Sequence, residues 1–180
     1  MTCLLAVLAM LIAASPSALA APGHSRADFS TVVAHGEGEA QGVEALIDSF
    51  GEMHPAFVHF PIALILAAAL AEALALTTRR PMFAHAARYS VVIAALGAIA
   101  AVPAGWIAGA VDYGTLAGTL ATHRWLGIVA GIVIIGTAVL SEAAHRRNRG
   151  RLLLCYRIAL VAGAFLVVLT AYFGGKLVHG

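Results

Sequence analysis

Between residues 55 and 174 the chain carries four long stretches of nearly unbroken apolar residues, at about 55–76, 89–110, 124–140 and 152–174. Each is near the ~20 residues that a helix rising ~1.5 Å per residue needs to cross the hydrocarbon core. These stretches predict four membrane spans and therefore an all-α membrane protein. The composition agrees: 61% of the residues are hydrophobic, against roughly 45–50% in soluble domains, only 11% are charged, and the mean hydropathy is +0.91. A net charge of +2, scattered among loops, gives no footprint for nucleic acid.

The loops orient the spans. Arg79, Arg80 and Arg88 fall between the first and second, and Arg146, Arg147, Arg149 and Arg151 between the third and fourth. The stretch 111–123 between the middle spans has no Lys or Arg. Positive loops stay in the cytoplasm, so both ends of the mature chain and the middle loop are expected in the periplasm of a bacterial inner-membrane protein. Residues 1–21 read as a cleavable signal peptide: an apolar core, a Ser15-Pro16-Ser17 break and a small-residue Ala18-Leu19-Ala20 site. No basic residue precedes that core, which keeps an uncleaved anchor as the alternative. Residues 22–52 form a short acidic periplasmic segment, and 53–180 the membrane domain. Within the acidic segment Val43, Leu46, Ile47 and Phe50 follow the stripe of an amphipathic helix, with Gly51 as its expected C-cap. This helix is expected on the mouth of the bundle, as a cap over a site or as a surface-lying linker. Cys3 and Cys155 have no metal-site spacing.

A weak internal repeat is visible. Placing His54 over His123 brings Ala71-Glu72-Ala73 to within one residue of Ser141-Glu142-Ala143, each followed by an arginine-rich loop. The second and fourth spans then match Pro103-Ala104-Gly105-Trp106 with Thr170-Ala171-Tyr172-Phe173. Two helical hairpins of the same orientation imply an approximate two-fold axis along the membrane normal. Glu72 and Glu142, near the arginine-rich end, are expected to meet the loop arginines.

Four of the eight histidines gather at the other end, His54 and His59 opening the first span, His123 the third, and His179 following the fourth. Ionisable residues at the mouth of a span are functional candidates. His59, Ala63, Ala67 and Ala71 form one small-residue stripe, and His123, Gly127 and Gly131 another. Such stripes leave room for a flat macrocycle beside an imidazole, and equally serve close helix packing. Neutral imidazole suits haem iron, copper or zinc. The pair His59 and His123 is the expected metal-ligating set, with His54 as the substitute for His59, Gly127 and Gly131 as room for the cofactor, and Arg124 as partner for a propionate or another acid. Thr122 is a candidate N-cap for the third helix, and Trp106 and Trp125 are placed where an aromatic belt would lie. No nucleophile with a base and no paired carboxylates share a face, so catalysis is not indicated.

His54-Pro55-Ala56-Phe57-Val58-His59-Phe60-Pro61, with Thr122-His123-Arg124-Trp125-Leu126-Gly127 and Tyr172-Phe173-Gly174-Gly175-Lys176, resembles domain of unknown function 2231, a predicted four-helix membrane family, over about residues 50–180. In some members that module accompanies cytochrome c-like or Rieske-type domains, and the resemblance therefore implies electron transfer. The chain has no CxxCH motif of its own, so such a carrier would be a separate periplasmic partner. The expected function is electron transfer through a b-type haem. The alternatives are a cofactor-free anchor or assembly subunit of a cytochrome complex, and a copper or zinc site with Met53 as an added copper ligand.

The orientation is testable with single cysteines at Thr78 and Gly118 and a membrane-impermeant thiol reagent. Gly118→Cys is expected to label from outside and Thr78→Cys only after lysis, and the reverse pattern inverts the topology.

Overall fold

The computed structural model describes residues 37–109, 117–147 and 150–179, all of them within helices or their immediate connections. The expected signal peptide and the start of the acidic segment lie outside these residues. Five helices follow in order: α1 (Glu37–Glu52), α2 (His54–Thr78), α3 (Pro81–Ala108), α4 (Ala117–Arg147) and α5 (Gly150–His179). The last four are long and apolar enough to cross a membrane.

Local sequence explains several boundaries. Pro55 and Pro81 stand in the first turns of α2 and α3, where the missing N–H costs nothing and the fixed φ favours the helix. Arg79 ends α2 in a left-handed conformation at φ 56°, its N–H donating to the Ala75 carbonyl at 3.0 Å. Helices α2 and α3 are thus joined by two residues, and Arg88, expected in a loop, lies inside α3. The third helix also begins earlier than expected, at Ala117. Thr122 is therefore no N-cap: its hydroxyl donates back to the Gly118 carbonyl at 3.0 Å within the helix.

Helices α2 and α3 pack as one hairpin and α4 and α5 as another, while α3–α4 and α2–α5 contacts close the ring. This order puts α2 and α4 on a diagonal. The interior is built from small side chains, among them Ala68, Ala94, Ala98 and Ala130, around a few fully buried large ones such as Ile65, Val91 and Leu160. Leu70, Leu96, Ile99, Val161 and Phe165 point outward. Small residues inside and large ones outside is the arrangement for helices in lipid, where close backbone approach rather than apolar burial drives packing. Gly163 shows it: a Cβ there would touch Val133, Ile65 and Ile134 at 3.6–3.9 Å.

The amphipathic helix is present, with a different contact face. Leu46 and Ile47 stay 70% and 46% exposed, and α1 docks instead through its last turn. The Phe50 and Phe57 rings meet at 5.3 Å, and Gly51 lies against α3 so closely that a Cβ would stand 2.7 Å from Ile107 Cγ2. Gly51 is thus a docking point and no C-cap, since α1 continues through it and Met53 N–H still donates to Ser49.

At the arginine-rich end the two hairpins are tied by crossed ion pairs. Arg88 of α3 donates to Glu142 of α4 at 2.6 Å, and Arg157 of α5 to Glu72 of α2 at 2.8 Å. Arg146 adds a second ion pair to Glu142 at 2.8 Å. The shift that carries His54 onto His123 carries Arg88 onto Arg157, and Glu72 to within one residue of Glu142. The glutamates do meet arginines, but the partner of Glu72 belongs to a span that the sequence reading treats as wholly apolar.

Two glycine substitutions separate packing from docking. Gly163→Ala fits the existing space and gains helix propensity of up to ~1 kcal/mol, so its thermal unfolding is expected at or above that of the wild type. Gly51→Ala collides with Ile107 and is expected to release α1, read as faster proteolysis before Met53 with the spans still helical.

Candidate functional site

At the end of the bundle opposite the ion pairs, the diagonal helices bring two imidazoles together. The His54 and His123 rings lie 6.4 Å apart between centres, edge to face at 81°. Each ring is held by its own hairpin in the same way. His54 Nδ1 contacts the Ala101 carbonyl at 3.0 Å, and His123 Nδ1 the Thr170 carbonyl at 3.0 Å, in both cases 47 residues along the chain. A carbonyl only accepts, so both Nδ1 atoms carry the proton, and in the neutral form of each ring Nε2 is the nitrogen with the lone pair. Neither Nε2 has a hydrogen-bond partner among the described residues.

Glycines make the contact possible. A Cβ at Gly105 would stand 2.6 Å from His54 Cε1, and one at Gly174 2.9 Å from His123 Cε1. The shift that relates the histidines relates these glycines and the two accepting carbonyls as well. This corrects the sequence alignment of the second and fourth spans, which set Thr170 against Pro103 where the structure sets it against Ala101.

His59 does not join the pair. It lies five residues after His54, roughly 140° around a helix of 3.6 residues per turn, and its exposed ring turns back to the Pro55 carbonyl. Ala63 and Ala67 below it are exposed too, so this part of the stripe faces away from the bundle axis, and Ala71 alone of the four turns inward. The expected approach of His59 to His123 is thus replaced by that of His54, the residue that the repeat itself superposes on His123. His179 ends α5 on the surface, and Met53 is exposed.

Beside the imidazoles lies an apolar cavity of about 90 Å³, walled in part by Val58, Ile62, Val102, Gly127, Gly131 and Thr170. The two glycines differ in role. Gly131 meets α3, a Cβ there being 3.0 Å from Val102, whereas Gly127 has only Thr170 within reach, at 3.9 Å. Arg124, from the turn after His123, closes the outer lip. Its guanidinium lies 4.7 Å over the Trp106 ring, donates through Nη2 to the Trp106 carbonyl at 3.2 Å and crosses the backbone at Gly109. This is a cation on the carbonyl end of α3, where the helix dipole favours it. Its Nε is buried and has no partner among the described residues. Trp106 and Trp125 are both partly exposed near this end. No group of three or more His, Cys, Asp or Glu converges on one point among the described residues.

The sequence model of a family described as "Predicted membrane protein (DUF2231)" matches residues 52–180. The chain belongs to this family. The match covers all four spans and both histidines of the pair, and leaves out nearly all of α1. No curated protein and no solved structure matches the chain.

The histidine geometry is testable by nitrogen-15 spectra of labelled protein. Both His54 and His123 are expected as Nδ1–H tautomers. Gly105→Ala should disturb the His54 resonances and leave those of His123 in place, and Gly174→Ala should do the opposite.

Proposed function

We propose that the protein is an electron-transfer module of the bacterial inner membrane, in which His54 and His123 are the two axial ligands of a b-type haem near the periplasmic face. The observation that carries this reading is the matched pair of imidazoles, each with its Nδ1–H fixed on a backbone carbonyl. Metal-ligating histidines are commonly oriented by such a bond from the other ring nitrogen. Two metal–nitrogen bonds of ~2.0 Å, with half a ring at each end, amount to roughly 6 Å between ring centres, in keeping with the 6.4 Å here. The donor count points the same way. A bare zinc or copper ion wants three or four protein ligands, whereas a macrocycle brings its own equatorial donors and needs only two. Filling both axial positions leaves none for oxygen, so the chemistry supplied by such a group is one-electron transfer.

The remaining residues have roles in this reading. Gly127 and Gly131 keep the wall beside the imidazoles free of side chains, and Arg124 offers its unpartnered Nε to a carboxylate at the lip. The electron partner is a separate periplasmic carrier of the cytochrome c-like or Rieske type. The cavity of about 90 Å³ is smaller than the ~300–1,000 Å³ of ordinary ligand pockets. A macrocycle therefore enters only as the cleft widens, and packing there must differ between free and loaded protein. The same small volume favours a second reading, in which the protein is a cofactor-free anchor or assembly subunit and the imidazoles serve as cross-helix hydrogen bonds.

Reduced-minus-oxidised visible spectra of protein purified from haem-replete cells separate the two. A haem band is expected in the wild type, lost in His54→Ala and His123→Ala and kept in His59→Ala. A well-folded, colourless wild type that takes up no added haem overturns the proposal in favour of the anchor, and a band lost only with His59→Ala reassigns the ligand.

A further inference from the structure

At the arginine-rich end lies a second, half-open cavity of about 380 Å³, with wall residues from all four spanning helices. Its polar lining is Glu72, Arg88, Ser141, His145, Tyr156 and Arg157. The two guanidiniums meet carboxylates on one side only. Arg88 uses Nε and Nη2 on Glu142, and Arg157 uses Nε on Glu72, so Arg88 Nη1 and both terminal nitrogens of Arg157 keep N–H groups to donate. Ser141 is buried beside them. The Tyr156 hydroxyl is also buried, its residue 3% exposed, and it faces the Glu72 carboxylate without closing a hydrogen bond of normal geometry. A buried hydroxyl without a partner is costly unless something else satisfies it.

Charge at this end is one-sided. Among the described residues the acidic side chains here are Glu72 and Glu142, against Arg79, Arg80, Arg88, Arg146, Arg147, Arg151 and Arg157. Donors outnumber acceptors, so the cavity fits a ligand made of acceptors. Depth narrows the choice. The spanning helices hold 25–31 residues, roughly 37–46 Å at the helical rise, against ~30 Å of hydrocarbon. The excess is roughly 4–8 Å at each end, so side chains about two turns in, at ~11 Å, lie just beneath the headgroups, within reach of them through the length of an arginine side chain.

We propose that this cavity binds a phosphate oxyanion, presented by the headgroup of an anionic membrane lipid. Arg88 and Arg157 supply charge-assisted donors from two sides, the geometry in which guanidinium groups hold phosphate, and Tyr156 and Ser141 supply neutral ones. Basic pockets between spanning helices are known sites for such headgroups. The site is independent of any cofactor at the opposite end.

Full-length protein in a neutral detergent tests this by thermal unfolding against short-chain phosphatidylglycerol, short-chain phosphatidylcholine and inorganic phosphate. Phosphatidylglycerol is expected to raise the unfolding temperature saturably, and phosphatidylcholine not to. No response to inorganic phosphate assigns the site to the lipid headgroup, and an equal response shows that the free oxyanion suffices. In Glu72→Gln/Arg157→Gln, which removes a charge pair together, half-saturation should need at least tenfold more phosphatidylglycerol, and in Tyr156→Phe several-fold more. No saturable response of the wild type overturns the proposal, as does equal half-saturation in wild type and double variant. If the double variant does not fold, unchanged half-saturation in Tyr156→Phe overturns it instead.

Discussion

Apolar helices gain little from meeting one another in lipid, because the tails they leave are as apolar as the side chains they find. What joins these four helices must therefore come from close backbone approach and from a few strong polar contacts. Both are present and divided by position. Alanines and glycines fill the middle of the bundle. At one end imidazole-to-carbonyl bonds tie α2 to α3 and α4 to α5, within each hairpin. At the other, arginine–glutamate pairs tie α3 to α4 and α2 to α5, between hairpins. Each end supplies the connection that the other lacks.

That division bears on how the histidine end can work. At the imidazole end the described side chains make one hydrogen bond between the hairpins, from Arg124 to the Trp106 carbonyl, while the ion pairs tie the far end. The glycines at 105 and 174 matter because each removes the one Cβ that would force its histidine off the carbonyl.

The four spans were legible because length and hydropathy alone determine them, and the orientation of the hairpins followed from their order. The repeat was legible through His54, His123 and the two glutamates, and the structure extends it to contacts that sequence matching could not weigh. His54 rather than His59 meets His123 for an angular reason: depth and small neighbours favour His59 in the sequence, but a five-residue step turns a side chain away from the face of the first. Arg157 was missed because one charge in a long apolar run does not disturb its hydropathy, although its offset from Arg88 equals that between the histidines and could have revealed it. That α1 docks through its last turn and leaves Leu46 and Ile47 exposed was hidden because a stripe of apolar residues says which face avoids water, and not whether protein or membrane covers it.

The two halves are related but not equal, and the difference falls at the outer lip. The repeat sets Arg124 of α4 against Pro55 of α2 and Trp106 of α3 against Gly175 of α5, so the cation stacked on an indole across the α3–α4 seam is replaced by a proline and a glycine across the α2–α5 seam. Two separate copies of one hairpin would be bound to present the same lip twice. Joined in a single chain, the hairpins are free to make a symmetric pair of imidazoles with two unlike sides, only one of which has an arginine laid over an indole, and anything that approaches the pair meets a front and a back.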